Sequence, residues 1–248
     1  MTFPVYLHIG GLTIHPHWIF ESLGYAVGLY WSYRSRRRIG DVVDPRSRRA
    51  VTIAALVGGL IGSRLSAAFE EPLRLSSGGA GLEFLFSGKT IVGGLVGGII
   101  AVELVKWLRG VTTATGDLFT LPLILGIAIG RIGCFLSRLD DQSYGIATSL
   151  PWGVDLGDGI RRHPTQLYEI AFLAALVATL LSLWERLRVT GDRFKLFIVS
   201  YLGFRLLVDF LKPGVRLGGL TTIQWICIAA IAFYAPHVMR LASEVRSE

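Results

Sequence analysis

The sequence predicts an all-α integral membrane protein of about seven transmembrane helices, with the N-terminus outside and the C-terminus cytoplasmic. Three observations carry that prediction. Of 248 residues, 52% are hydrophobic and only 17% charged, with a mean hydropathy of +0.53; a soluble domain carries about 25% charged residues. Seven apolar windows recur along the chain, each poor in charge, as a bilayer requires of a segment that must satisfy its own backbone. Lysine and arginine crowd into alternate connecting segments, which sets orientation.

The windows lie at about 18–33, 50–69, 90–108, 117–136, 164–185, 194–211 and 220–238. The fifth and seventh are the plainest. The second to fourth are richer in glycine, and "VGGLIGS" (57–63) and "IVGGLVGGII" (91–100) suit close approach of helix backbones. Ahead of the first window, residues 1–17 form a short arm with no basic start and apolar block of a cleavable signal peptide. Its alternation around Gly10-Gly11 reads as a hairpin or re-entrant arm. With the N-terminus outside, cytoplasmic segments 34–49, 106–116, 186–195 and 240–248 hold 15 Lys and Arg, and external segments 70–89, 137–163 and 212–219 hold 7. The remaining three are Arg64, Arg131 and Arg205, inside windows.

The whole chain, 1–248, reads as a single polytopic membrane domain with one large external loop at 137–163. The net charge of +7 is explained by the basic loop 33–49 lying near anionic headgroups, and no nucleic-acid partner is expected. Cys134 and Cys227 both fall in windows and lack metal-ligand spacing. No metal cluster or nucleotide loop is visible, and no cofactor is expected.

Ionisable groups inside spans cost about 2.5–3.5 kcal/mol each on insertion scales, so their placement calls for a reason. Arg64 follows "GLIGS" near the outer end of the second window, and Arg131 lies in the outer half of the fourth. Arg205 and Asp209 stand four apart on the sixth, on one helix face. Arg162 and His163 precede the fifth window; Tyr168 and Glu169 fall in its first turns, and Pro164 fits its first position. Each has a structural reading: an intrahelical ion pair for Arg205 and Asp209, snorkelling for Arg131, a helix cap for His163. Taken together, three arginines against few acids predict an electropositive pocket at the outer leaflet. Arginine suits phosphate because its planar fork donates two parallel hydrogen bonds, and a lipid phosphate is the anion at that depth.

The segments "GLIGSRL" (59–65), "GKTIVGGLVGG" (88–98), "GIAIGRIGCF" (126–135), "RRHPTQLYE" (161–169) and "YLGFRLLVDFLK" (201–212), in that order, resemble prolipoprotein diacylglyceryl transferases over about residues 18–235. "RHPTQLYE" is the most specific of them. The resemblance implies a seven-span bacterial inner-membrane enzyme that moves diacylglyceryl from phosphatidylglycerol to the thiol of a lipobox cysteine in a preprotein. It matches Arg131 and Arg205 to two signature arginines, Asp209 to a motif glutamate, and Arg64 to the arginine of "GGRxGY". His163, Gln166, Tyr168 and Glu169 match one segment, with Thr165 for serine. Val92 stands where the family motif has a histidine, Cys134 where it has an asparagine, and Glu21 near the tyrosine of "HWYG".

The expected mechanism places Arg131 and Arg205 on the phosphate, where they meet the leaving charge. A thiol with a free pKa of about 8.5 needs a base or a positive field. His163 and Glu169 are the candidates for that base, with Asp209 a third if Arg205 does not hold it. Arg64, Lys89, Arg162, Gln166, Tyr168 and Asp209 are expected around the substrate, Lys89 by contact with a headgroup or by snorkelling. The alternative is a catalytically silent lipid- or lipoprotein-binding paralogue, motivated by Val92 and Cys134. An anion transporter is a third reading, with only the buried arginines behind it.

Overall fold

A computed structural model of the chain describes residues 7–9, 12–70, 88–137, 139, 143–187 and 189–246. All seven apolar windows are helical: α1 Pro16–Ile39, α2 Pro45–Glu70, α3 Ile91–Leu108, α4 Asp117–Ser137, α5 Thr165–Ser182, α6 Asp192–Val208 and α7 Thr222–Arg246. Four of them, α2 to α5, are long and apolar enough to cross a membrane. The apolar part of α7 covers Thr222–His237, while α1 and α6 carry more charge. A short 3-10 turn, Asp209–Leu211, continues α6. Most of the expected loop at 70–89, including 71–87, lies outside the described residues, as do 138 and 140–142.

Two small sheets qualify the all-α expectation. Leu7–Ile9 (β1) and Leu12–Ile14 (β2) pair antiparallel, with His8 opposite Thr13, so the expected hairpin is present, although Gly10 and Gly11 lie outside the described residues. Val154–Asp155 (β3) and Arg161–Arg162 (β4) form a second pair inside the 137–163 loop. Its periodicity was too short to read from sequence, since two-residue strands leave no alternation to detect. Pro164 sits one position earlier than expected: it is the N-cap of α5, and Thr165 opens the helix.

The chain packs as two compact units, each made from two stretches: 1–40 with 116–213, and 41–115 with 214–248. In the second unit, glycine decides the packing. A Cβ on Gly62 would collide with the Gly93 carbonyl and the Gly97 Cα, and one on Gly97 with the Gly58 carbonyl. Only residues without side chains let α2 and α3 approach this closely. Thr90 caps α3 by accepting from Gly93 N at 3.0 Å. Thr221 and Gln224 cap α7 reciprocally: Thr221 N donates to Gln224 Oε1 at 2.9 Å, and Gln224 N to Thr221 Oγ1 at 3.1 Å.

In the first unit, Asp117 at the start of α4 accepts from the backbone of Gly191 and Phe194 at 2.7 and 3.0 Å. That ties α4 to the beginning of α6. Phe172 of α5 stacks on Phe204 of α6 with ring centroids 4.4 Å apart, which sets the register of the two helices. Large apolar side chains such as Leu60, Ile100 and Leu207 stay more than 60% exposed, while Arg131, Arg205, Glu169 and Gln166 are buried. Polar inside and apolar outside is the arrangement that lipid solvation requires.

Candidate active site

The site forms where α4, α5 and α6 meet in the first unit. Arg131 comes from α4, Glu169 from the second turn of α5, and Tyr201 and Arg205 from one face of α6, four residues apart. Glu169 is the hub. Its Oε2 lies 2.9 Å from Arg131 Nε and 3.6 Å from Arg205 Nη1, and its Oε1 accepts from Tyr201 at 2.6 Å. Arg205 Nη2 donates to Asp209 at 2.8 Å. The stacked pair Phe172 and Phe204 sits one turn along from Glu169 and Tyr201, so the same register that packs the rings delivers the carboxylate to the phenol.

This arrangement corrects the expectation of an electropositive pocket. Two guanidiniums face two carboxylates, and the four groups are formally neutral. Charges at this depth must be paired, because an isolated buried ion costs several kcal/mol. A fifth group restores a positive excess. Lys212, half-buried just beyond the 3-10 turn, feels Arg205, Arg131, Glu169 and Asp209. Burial, and then repulsion by Arg205 and Arg131, push its ammonium down to about 7. The hydrogen bonding is also incomplete: the buried atoms Arg131 Nε, Arg205 Nε and Gln166 Oε1 have no hydrogen-bond partner. Arg131 Nε is close to Glu169 but out of line for a hydrogen bond.

The remaining expected residues fall in two groups. At the mouth of α5, His163 Nδ1 is 3.2 Å from the Tyr168 hydroxyl, which also accepts from Trp152 Nε1 at 2.8 Å. Backbone bonds from Gly145 N to His163 O, His163 N to Ile146 O and Ile146 N to Leu211 O fasten this segment to the end of α6. Gln166, fully buried, donates to Ser143 Oγ at 3.1 Å. Arg162 pairs with Asp158 at 2.6 Å and lies over the Tyr144 ring, and its hydrogen bond holds the Asp158 carboxyl below the usual carboxylate range. Arg64 and Lys89 belong to the second unit; Arg64 donates to the Gly88 carbonyl at 3.0 Å, and Lys89 is exposed. Val92 is fully buried on the first turn of α3 in that unit.

Sequence reasoning missed Tyr201 and Lys212. Tyr201 was within reach of it, four residues before Arg205 on one helix face; Lys212, in extended backbone just past the 3-10 turn, was not. A recess of the same unit, about 670 Å³ and lined by Trp31, Arg34, Leu121, Trp184, Glu185 and Arg186 among others, includes none of the cluster residues.

The fold and the site define a helical protein with four helices long and apolar enough to cross a membrane and a buried arginine–carboxylate cluster. The chain belongs to the prolipoprotein diacylglyceryl transferase family, whose family model matches residues 4–239. It is 31% identical over 239 residues to the phosphatidylglycerol–prolipoprotein diacylglyceryl transferase of Bordetella avium (strain 197N), covering 91% of this chain and 89% of that protein. The enzyme of that name from Nitratidesulfovibrio vulgaris (strain DP4) is 32% identical over 250 residues, covering 92% and 90%. The one from Methylobacillus flagellatus is 30% identical over 246 residues, covering 92% of each.

Proposed function

We propose that this chain moves the diacylglyceryl group of phosphatidylglycerol to the thiol of a lipobox cysteine in a preprotein, releasing glycerol phosphate. The observation that carries the reading is the convergence of Arg131 and Arg205 on Glu169, with buried guanidinium Nε atoms still lacking hydrogen bonds. A phosphate oxygen entering the cluster supplies those bonds. Glu169, Tyr201 and Asp209 hold the two forks in place beforehand, which is how a site meets developing charge without reorganising. The phosphodiester arrives with one negative charge, and Lys212 adds the cation that the neutral quartet lacks for binding it.

The base expected from sequence was His163 or Glu169. Both carboxylate oxygens of Glu169 are engaged by Tyr201, Arg131 and Arg205, so we assign it to hold the clamp. His163 stays a candidate for the proton-accepting step, and Gln166, Tyr168 and Arg162 shape the mouth of α5 around it. Arg64 and Lys89 are assigned to lipid contact in the second unit. The enzyme spans a bacterial cytoplasmic membrane seven times, N-terminus out; the asymmetry of 15 against 7 Lys and Arg supports that orientation.

The deciding experiment incubates the purified full chain with labelled phosphatidylglycerol and a lipobox peptide. Transfer of label to the peptide cysteine is expected, with glycerol phosphate released in equal amount. No transfer with several phospholipids and several thiol acceptors would overturn the reading.

A further inference from the structure

Glu21, His17 and Cys134 form a chain of contacts that ends beside Arg131. Glu21 Oε2 lies 3.3 Å from His17 Nε2, and Tyr25 donates to the other Glu21 oxygen at 3.1 Å. On the opposite side of the imidazole, Nδ1 is 3.9 Å from Cys134 Sγ. The same sulfur is 3.8 Å from Arg131 Nη1. Glycine makes this approach of α1 to α4 possible. A Cβ on Gly133 would meet Phe20 Cβ at 2.7 Å and His17 Cα at 3.3 Å, and one on Gly24 would meet the Gly126 carbonyl at 2.8 Å.

A carboxylate at Nε2 keeps the ring proton on that nitrogen and leaves the Nδ1 lone pair facing the sulfur. Thiol, imidazole and carboxylate in this sequence are the parts from which an activated sulfur is built. Among the described residues, the groups that face His17 include His15, with ring centroids 6.5 Å apart, Trp18 and Glu21 from α1 and its cap, and Cys134 from α4, whose sulfur also faces Arg131. Among the described residues no three His, Cys, Asp or Glu side chains form a metal-binding group. His15 Nδ1 is instead occupied by Ser137 Oγ and His17 N, at 3.4 and 3.3 Å.

We propose that His17, oriented by Glu21, is the base that takes the proton of a cysteinyl thiol beside Arg131. The proposal rests on the transferase reading and names the group that supplies what Val92 cannot. The acceptor S–H proton passes to His17 Nδ1. The sulfur electron pair forms a bond to the glyceryl carbon, and the C–O bond to phosphate breaks. Its electron pair leaves on glycerol phosphate, whose added negative charge is balanced by the proton now on His17. In the resting protein Cys134 occupies the position facing Nδ1, so its own reactivity reports on the base.

That gives a test independent of lipid turnover. The purified full chain is treated with iodoacetamide across a pH series, and alkylation of Cys134 and of the fully buried Cys227 is followed by mass spectrometry. Cys134 is expected to react faster than Cys227, because its sulfur faces an imidazole nitrogen that can take its proton. His17→Ala and Glu21→Gln should each slow Cys134 and change its pH profile, leaving Cys227 as it was. If His17→Ala does not fold, Glu21→Gln decides. In the transfer assay His17→Ala should lower kcat by about 10²–10⁴-fold with KM for lipid little changed, and added imidazole should restore part of the rate. An unaltered Cys134 profile in the folded variants overturns the proposal. So does full transfer by His17→Ala alongside a silent His163→Ala, a result that leaves the transferase reading standing. Absence of transfer in the unsubstituted chain defeats that reading instead, and the alkylation profile still decides the relay.

Discussion

Two buried arginine sites in this molecule differ in how fully their guanidiniums are satisfied. Arg48, at the start of α2 in the second unit, is 1% exposed, and Asp41 takes its Nε at 3.0 and 2.8 Å and its Nη2 at 2.5 Å. Its Nη1 reaches the Thr115 carbonyl at 3.4 Å. Asp44, just ahead of Pro45, caps the same turn by accepting from Arg46 and Ser47 N. Every nitrogen of that fork is used. Arg131 and Arg205 are buried to a similar degree, yet they share one carboxylate, keep Nε atoms without hydrogen bonds, and border a thiol and a third cation. Burial is therefore common to both sites. What marks the second is two guanidiniums converging on one carboxylate while their Nε atoms keep no hydrogen bond.

The sharpest way to break this contrast is to truncate each arginine. Arg131→Ala and Arg205→Ala should abolish diacylglyceryl transfer to within the assay floor, a loss of at least about 10²–10³-fold in kcat. The lysine replacements should recover only part, because an ammonium cannot reproduce a two-pronged contact. Arg48→Ala should act on stability instead, by about 3–5 kcal/mol for a buried pair broken on one side, with the folded fraction retaining its turnover. Thermal melts in detergent and initial rates on the same preparations measure both effects. Transfer at the unsubstituted rate in Arg131→Ala and Arg205→Ala would remove the clamp.

How far the sequence announced these two sites follows from their physics. The helices were legible because a spanning segment leaves a long apolar run, and all seven windows became α1 to α7. Arg131, Arg205, Glu169 and Asp209 stood out because charge inside such a run is costly. Their mutual pairing was not legible, since nothing in one dimension brings Glu169 of α5 to Arg131 of α4. The neutrality of the quartet of Arg131, Arg205, Glu169 and Asp209 was not legible for that reason. Lys212 and Tyr201 were passed over because each looks ordinary in its own segment. His17 was missed because nothing in one dimension brings it to Cys134, and only the glycine-mediated approach of α1 to α4 sets the two together. The two-residue strands β3 and β4 offered no pattern at all.

The glycine-packed region gives a smaller and purely structural test. Gly62→Ala and Gly97→Ala place a methyl against the backbone of the partner helix in the α2–α3 pair, and overpacking of this kind costs typically 1–3 kcal/mol. Gly130, on α4 beside Arg131, has nothing within 4 Å of an added Cβ. Gly130→Ala should be neutral or stabilising by up to about 1 kcal/mol through helix propensity. Equal melting temperatures for Gly62→Ala and the unsubstituted chain would contradict the close approach of α2 and α3.

The mildest effect is expected at Lys212, and its sign can be worked out. A lysine ordinarily titrates at about 10.4, and here burial with Arg205 and Arg131 nearby brings it to about 7. Below that pH the ammonium is charged and the five groups together carry one positive charge; above it they are neutral. An anionic lipid phosphate should therefore bind more weakly as pH rises through about 7, seen as a KM that climbs roughly tenfold or less while kcat changes little. Folding responds in the opposite sense. Between about 7 and the ordinary lysine range the unfolded chain binds more protons than the folded one, so stability rises with pH across that window. Lys212→Arg keeps the charge at every pH and should flatten the KM profile at its low-pH value. Lys212→Met removes the charge and should hold KM at its high-pH value throughout, with a higher melting temperature at pH 6 than the unsubstituted chain. Measuring lipid KM from pH 6 to 9 in the three proteins separates these outcomes. A climb that persists unchanged in Lys212→Arg would assign the titration to another group and return the cluster to formal neutrality.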